Sequence, residues 1–331
     1  LLRDDTKYAI VNEGVGEAIA MTHVARPGPA VRWGAGVPAV AAAVVLGLCG
    51  FPRGTLAYTA AGDRLFPATA VLPQIAPGDE FYTWGWTVPL AGGPVGAPER
   101  ASNFAAVYSK TITERLGITV EDTWKPIDRV GRGRIQGWTN FEAELKYLVI
   151  QSQPQEFLMT LGLNREFATG AQRIGASPKG ATEPRVYFGK GFGDLDIGYL
   201  RPLAVTGQAG YQFADAPPRG DRVNLGFVVE YSIPYLQSKV SSFDLPEIIR
   251  GLTPMTEVSI GLPAGRSFGA PTTVMFSPGV SYAGEGWEFH LAALVPATRA
   301  TAAGAGVIAQ LHLSLDYLFP ETIGRPLFSE R

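Results

Sequence analysis

The chain has 331 residues, 46% of them hydrophobic and 18% charged, with a formal net charge of −2 at pH 7. Ordinary apolar content with a charge near zero excludes a disordered chain, and the lack of a basic excess excludes an electrostatic nucleic-acid binder. No run reaches the roughly 18 apolar residues that a membrane-spanning helix needs.

Residues 1–20 precede Met21, and Met21-Thr22-His23-Val24-Ala25-Arg26 has the form of a translation start, so 1–20 are expected to be a non-native upstream extension. Residues 21–61 read as a secretory signal peptide: a basic stretch through Arg32, an apolar run from Val37 to Leu48, then small residues. Thr55-Leu56-Ala57 and Thr59-Ala60-Ala61 both fit the small-x-small cleavage pattern. Leu48 is too large to precede a lipoprotein cysteine, so Cys49 is not expected to be acylated. The competing reading of this stretch is a buried Ala/Val-rich helix. Once cleaved, the chain has no cysteine and must close by hydrogen bonding and packing. In residues 62–80, Pro67, Pro73 and Pro77 forbid a central strand. Leu65, Phe66, Val71, Leu72 and Ile75 are too apolar for a free tail. The segment is expected as a periplasmic leader or a lumen plug.

Beyond residue 80 the pattern has period two. Tyr82, Trp84, Trp86 and Val88 alternate with Thr83, Gly85 and Thr87. Leu145, Tyr147 and Val149 alternate with Glu142, Glu144 and Lys146, and Phe227, Val229 and Tyr231 alternate with Gly226 and Glu230. Near the end, Val307 to Phe319 carries apolar residues at odd positions and Gln310, His312, Ser314 and Asp316 at even ones. Strands of ten or more residues exceed the globular average of about five or six. Polar faces with Gly, Ser, Asn and paired charges, opposite apolar faces with aromatic ends, describe a wet lumen and a lipid-facing wall.

Twelve strands are predicted: 81–90, 103–111, 114–124, 138–151, 155–167, 194–200, 203–213, 224–236, 255–263, 273–283, 287–296 and 306–319. The fold class is therefore all-β, a transmembrane antiparallel β-barrel of about 12 strands spanning 81–319, with 320–331 as a C-terminal tail. Backbone groups in hydrocarbon must pair within the protein, which leaves only a closed barrel. An even count puts both ends in the periplasm, with long loops outside and short turns inside. The connection 237–254 is long where a short turn is expected. Within it Asp244 to Gly251 reads as a capped helical turn, so either a small periplasmic helix caps the barrel or the count is off by one strand.

Gly193-Asp194-Leu195-Asp196-Ile197-Gly198-Tyr199, Ser277-Pro278-Gly279-Val280-Ser281-Tyr282-Ala283-Gly284 and the run Val307–Phe328 resemble exported barrels of Gram-negative bacteria, the outer-membrane proteins or transporters of the meta-pathway phenol-degradation type. The resemblance implies a bacterial outer-membrane location, a lipid bilayer and lipopolysaccharide as surroundings, and small, hydrophobic or aromatic solutes. The family supplies no catalytic or binding residues. The last strand also resembles the signal read by the barrel-assembly machinery, here His312, Ser314, Tyr317 and Phe319, with Ser in place of the usual Gly.

The lumen-lining candidates are Glu142, Glu144, Lys146, Asp196, Glu230, Glu257, Glu288, His290, His312 and Asp316. A hairpin symmetric about residues 300–301 would set His290 opposite His312, with Glu288 nearby. Such a cluster serves as a hydrated network, a pH-responsive gate or a weak metal site; no metal and no cofactor is expected. Arg129, Arg132 and Arg134 form a basic loop suited to lipopolysaccharide phosphates or simply to solvent. An envelope hydrolase would draw on Ser281 or Ser314 with the histidines, but no nucleophile-elbow motif surrounds them. Passive passage of small molecules is the leading expectation, ahead of a structural barrel without transport; an enzyme is not expected.

Overall fold

A computed structural model of the protein describes residues 59–90, 99–129 and 131–328. The expected extension and nearly all of the expected signal peptide, Cys49 included, lie outside the described residues. A small hairpin, β1 (Thr59–Ala61) with β2 (Arg64–Phe66), precedes the barrel. The chain then forms β3 (Glu80–Leu90), β4 (Glu99–Thr111), β5 (Leu116–Arg129), β6 (Gly133–Trp138), β7 (Phe141–Ser152) and β8 (Phe157–Phe167). It continues through β9 (Ala181–Gly191), β10 (Leu203–Ala214), β11 (Asp221–Tyr231) and β12 (Leu252–Ala264). It ends with β13 (Thr273–Ala283), β14 (Trp287–Pro296) and β15 (Gly306–Ser314).

All pairings are antiparallel, and β15 returns to β3 with Val307 opposite Thr87 and Ser314 opposite Glu80. The sheet therefore has no free edge. β6 adds no stave, because it runs on into β7 across Thr139-Asn140 and both lie along β5. Twelve staves result. Both ends of the barrel chain, at Glu80 and Ser314, fall at the same end, the periplasmic end of an even-stranded barrel.

Burial is inverted relative to a water-soluble sandwich. Leu145, Tyr147, Leu161, Leu163, Phe227, Val229, Phe289 and Leu291 are each 41–53% exposed on the outer wall. Their neighbours Glu144, Lys146, Thr160, Asn164, Glu230 and His290 are almost fully buried inside. An apolar band around a closed barrel with charges within is a protein folded against lipid. The molecule is thus an outer-membrane-type β-barrel.

Four expectations need correction. The predicted strand 194–200 is an exposed inner-end turn containing the short helix Gly198–Leu200, and its place in the sheet belongs to β9. Pro184 made β9 look unlike a central strand, since proline cannot donate to a ladder, yet it pairs across from Leu163. The strands predicted at 224–236 and 306–319 stop at Tyr231 and Ser314. Ser232 accepts from the Tyr235 N–H and Pro234 opens a helical turn, while Leu315–Leu318 coils into one turn of helix. The long connection 232–251 is helical as well, with Glu247–Arg250 running between Pro246 and Gly251, so the strand count stands at twelve.

The third correction concerns which wall is wet. Tyr82, Trp84, Trp86 and Val88 face the lumen, each with 6% exposure or less. On the lipid side of β3, Thr83 Oγ1 donates to the Ala105 carbonyl at 2.7 Å and Thr87 Oγ1 to that of Ala101 at 3.3 Å. The Phe104 ring lies over Gly85, 3.1 Å from where a Cβ would stand. A face that looks polar in sequence is therefore satisfied in lipid. The fourth is register: Trp287 pairs with Leu313, Glu288 with His312 and His290 with Gln310. The shift is two residues, so every side chain keeps its expected face but the histidines are not opposite each other.

In a Cys49→Ser background, Leu291→Cys with Ala309→Cys is expected to cross-link on mild oxidation, whereas Leu291→Cys with Leu311→Cys stays reduced. Gel mobility without reductant reads the outcome.

Candidate functional site

The lumen is occupied by the chain's own N-terminal segment. Residues 67–79 run from the β1–β2 hairpin into the barrel and back to Glu80, and Ala68, Thr69, Ala70, Val71, Leu72, Gln74, Ile75 and Ala76 are all buried. Its three prolines keep it from forming strand, so its amides need partners from the wall. Glu257 supplies three of them, accepting from the N–H groups of Ala70 (2.8 Å), Val71 (2.9 Å) and Leu72 (3.0 Å). Glu288 accepts from Ala68 N–H at 2.6 Å, and His290 Nδ1 lies 3.3 Å from the Ala68 carbonyl. Lys146 donates to the Gln74 carbonyl at 2.6 Å.

The apolar side chains of the segment have their own seats. Leu72 rests against Gly226, where a Cβ would come within 2.6 Å of it, and Ile75 and Phe66 rest against Gly189. Val71 and Leu72 join Trp84, Met255, Met275 and Ile308 in an apolar cluster inside the barrel. At the outer end the 168–180 loop folds back and places Ile174 in the same cluster.

Two anchors at the inner end hold the segment's ends. Arg64, fully buried, donates to the carbonyls of Arg201, Pro202 and Leu203 and pairs with Glu156 at 3.4 Å. Tyr235 stacks over that guanidinium at 4.2 Å and donates to Glu156 at 2.8 Å. Burial and this donated bond push the Tyr235 phenol up to about 12, so it stays a neutral donor. Asp79 takes bonds from Lys110 and Thr111 at the other end.

Above the segment, on its outer side, lies a chamber of about 80 Å³ floored by Thr69 to Pro73. Glu142, Glu144 and Lys146 line it, joined by Glu121, Glu183 and Arg185. Arg185 bonds Glu183 at 2.9 Å and lies 3.6 Å from Glu144, which Lys146 approaches to 3.5 Å. Above the chamber, Glu166 takes bonds from Arg219 and from Asn140 (2.6 Å).

Of the ten lumen candidates, the structure puts Glu142, Glu144, Lys146, Glu230, Glu257, Glu288, His290 and His312 inside. Asp196 and Asp316 are exposed at the inner end, in the 192–202 turn and the Leu315–Leu318 helix. His312 faces Glu80 at 3.2 Å, and His290 lies 3.6 Å from Glu257, so the two histidines serve different carboxylates. Among the described residues no three His, Cys, Asp or Glu side chains converge as metal ligands. Tyr317 and Phe319 of the expected assembly signal fall beyond the last strand. Ser281 stands across from His290, but among the described residues its hydroxyl has no hydrogen-bond partner, so this nucleophile and base are not joined. Arg134 makes a 3.6 Å exposed pair with Asp128 in the outer hairpin.

Sequence reasoning missed Arg64, Asp79, Glu121, Glu183 and Arg185. Glu183 and Arg185 belong to the unrecognised strand β9, and alternation around Glu121 was available but unused. Arg64 carried a usable signal, a lone cation in an apolar segment.

No protein-family model matches the chain, and no curated protein matches it. Solved structures with a similar course include the KdgM porin, at 10% identity and a TM-score of 0.44 over 71% of this chain and 98% of that one. An outer membrane channel from Pseudomonas putida F1 aligns at 11% identity and a TM-score of 0.46 over 76% of this chain and 99% of that one. LpxR from Salmonella typhimurium aligns at 9% identity and 0.39 over 70% and 99%.

Charge-assisted hydrogen bonds contribute about 1.5–3 kcal/mol each. Glu257→Ala is expected to speed amide hydrogen exchange at Ala70, Val71 and Leu72 at least ~30-fold, equivalent to about 2 kcal/mol. Exchange in the β11–β12 ladder should stay unchanged.

Proposed function

We propose that the protein lets small molecules cross the outer membrane passively, and that residues 67–79 close the lumen. The observation that carries this is how the segment is held. It contributes no strand to the barrel, and its backbone is held in the lumen by side-chain bonds from Glu257, Glu288 and Lys146. Such contacts can be exchanged for water without opening the twelve-strand ladder, so the segment can move while the wall stands. Hydrophobic or aromatic solutes are the first to test, on the resemblance of Gly193–Tyr199, Ser277–Gly284 and Val307–Phe328 to barrels of the meta-pathway type.

In planar bilayers the refolded protein is expected to show small or gated conductance steps. Replacing residues 68–76 by a Gly/Ser linker of equal length should raise the conductance severalfold. Silence from both proteins, with heat-modifiable mobility intact, would instead support a structural barrel without transport.

We further propose that the signal peptide ends at Ala57 rather than Ala61. Ala61 is wholly buried in β1, and cleavage behind it would remove the strand that pairs with Arg64–Phe66. Sequencing the mature protein from outer membranes should read Tyr58 first; a start at Gly62 would overturn this placement.

A further inference from the structure

We infer that the chamber above the N-terminal segment is a binding site for a small organic cation, an ammonium group carried on an aromatic or short aliphatic body. The inference deepens the conduit reading and rests on it for its biological sense, though not for its test.

The chamber's charges do not balance. Glu144 and Glu183 are matched by Lys146 and Arg185. Among the described residues Glu121 and Glu142 have no cationic partner within 4 Å, and they sit directly across from each other on β5 and β7. Among the described residues Glu142 accepts only from Asn164 at 2.8 Å, and Glu121 only from Thr123 at 3.4 Å. Like charges opposed on neighbouring strands repel, and within a low-dielectric wall the repulsion is stronger than in water. A cation between them relieves it.

A second feature points to a ligand rather than to charge alone. Gln310, 1% exposed, lines the same chamber, and among the described residues neither its amide oxygen nor its amide nitrogen has a hydrogen-bond partner. The Asn224 amide oxygen, on the same lining, is also without a donor among the described residues. Buried amide oxygens without donors are costly, and an ammonium brings N–H donors to them. Trp84 and Tyr82 line the chamber too, offering the aromatic faces that attract a cation and a surface for an apolar body.

Size limits the ligand. At about 10–15 Å³ for each water-sized occupant, 80 Å³ holds about five to eight non-hydrogen atoms. Benzylammonium is at the upper end of that range. Benzoate meets unmatched carboxylates there, and benzyl alcohol lacks the charge.

The test is titration calorimetry of the whole refolded protein in detergent with benzylammonium, benzyl alcohol and benzoate. Benzylammonium is expected to bind at least tenfold more tightly than benzyl alcohol, with benzoate weaker than both. E121Q/E142Q should lose that tenfold preference while keeping heat-modifiable mobility; if the double variant fails to fold, E121Q alone should lose part of it. Gln310→Leu should weaken benzylammonium and leave benzyl alcohol unchanged. Equal affinities for ammonium and alcohol, a preference that survives E121Q/E142Q, or no binding of any of the three would overturn the site. Calorimetry does not need permeation: a sealed barrel that binds benzylammonium refutes only the conduit, and a conducting barrel without the preference refutes only the site.

Discussion

The molecule depends on one constraint, that backbone polar groups in hydrocarbon have no water to turn to. The pairing of β15 with β3 meets it by removing the last two edges. Once the cylinder is closed, each strand has a lipid wall and a lumen wall, and alternation assigns every side chain to one of them. Glu257 can then be wholly buried because it faces an interior that supplies polar partners, the backbone N–H groups of Ala70, Val71 and Leu72.

Closure creates a second problem, since twelve staves enclose more space than their own side chains fill on every level. The N-terminal segment fills part of it. Its backbone lacks strand partners, and carboxylates and a lysine on the wall take the place of a ladder. Lumen charge is thus divided between holding the segment and lining the chamber above it. Glu257 and Glu288 do the first, whereas Glu121 and Glu142 remain uncommitted.

The inner end is cross-linked around both ends of the segment. Arg64 reaches three carbonyls of the β9–β10 turn, Glu156 ties that turn to Tyr235, and Asp79 ties the segment's exit to β4. Motion of residues 68–76 between these two anchors is compatible with a fixed barrel and fixed anchors. This arrangement separates the part that carries stability from the part suited to opening.

Period-two alternation follows directly from strand geometry, so the all-β class and, for most strands, the residues that share a face are legible in the sequence; the total of twelve agrees as well, although 194–200 stands in it for β9. Alternation marks two faces without saying which is wet, so only the closed structure showed that Tyr82, Trp84 and Trp86 look inward, where the N-terminal segment supplies their apolar contacts. Pro184 hid β9, and the alternating Leu195, Ile197 and Tyr199 imitated a strand in a turn, because pairing partners rather than local pattern decide whether an extended segment joins a sheet. The two-residue shift that separates His290 from His312, and the meeting of Glu121 with Glu142, are matters of register. Register is set by loop geometry and long-range pairing, and only the tertiary structure decides it.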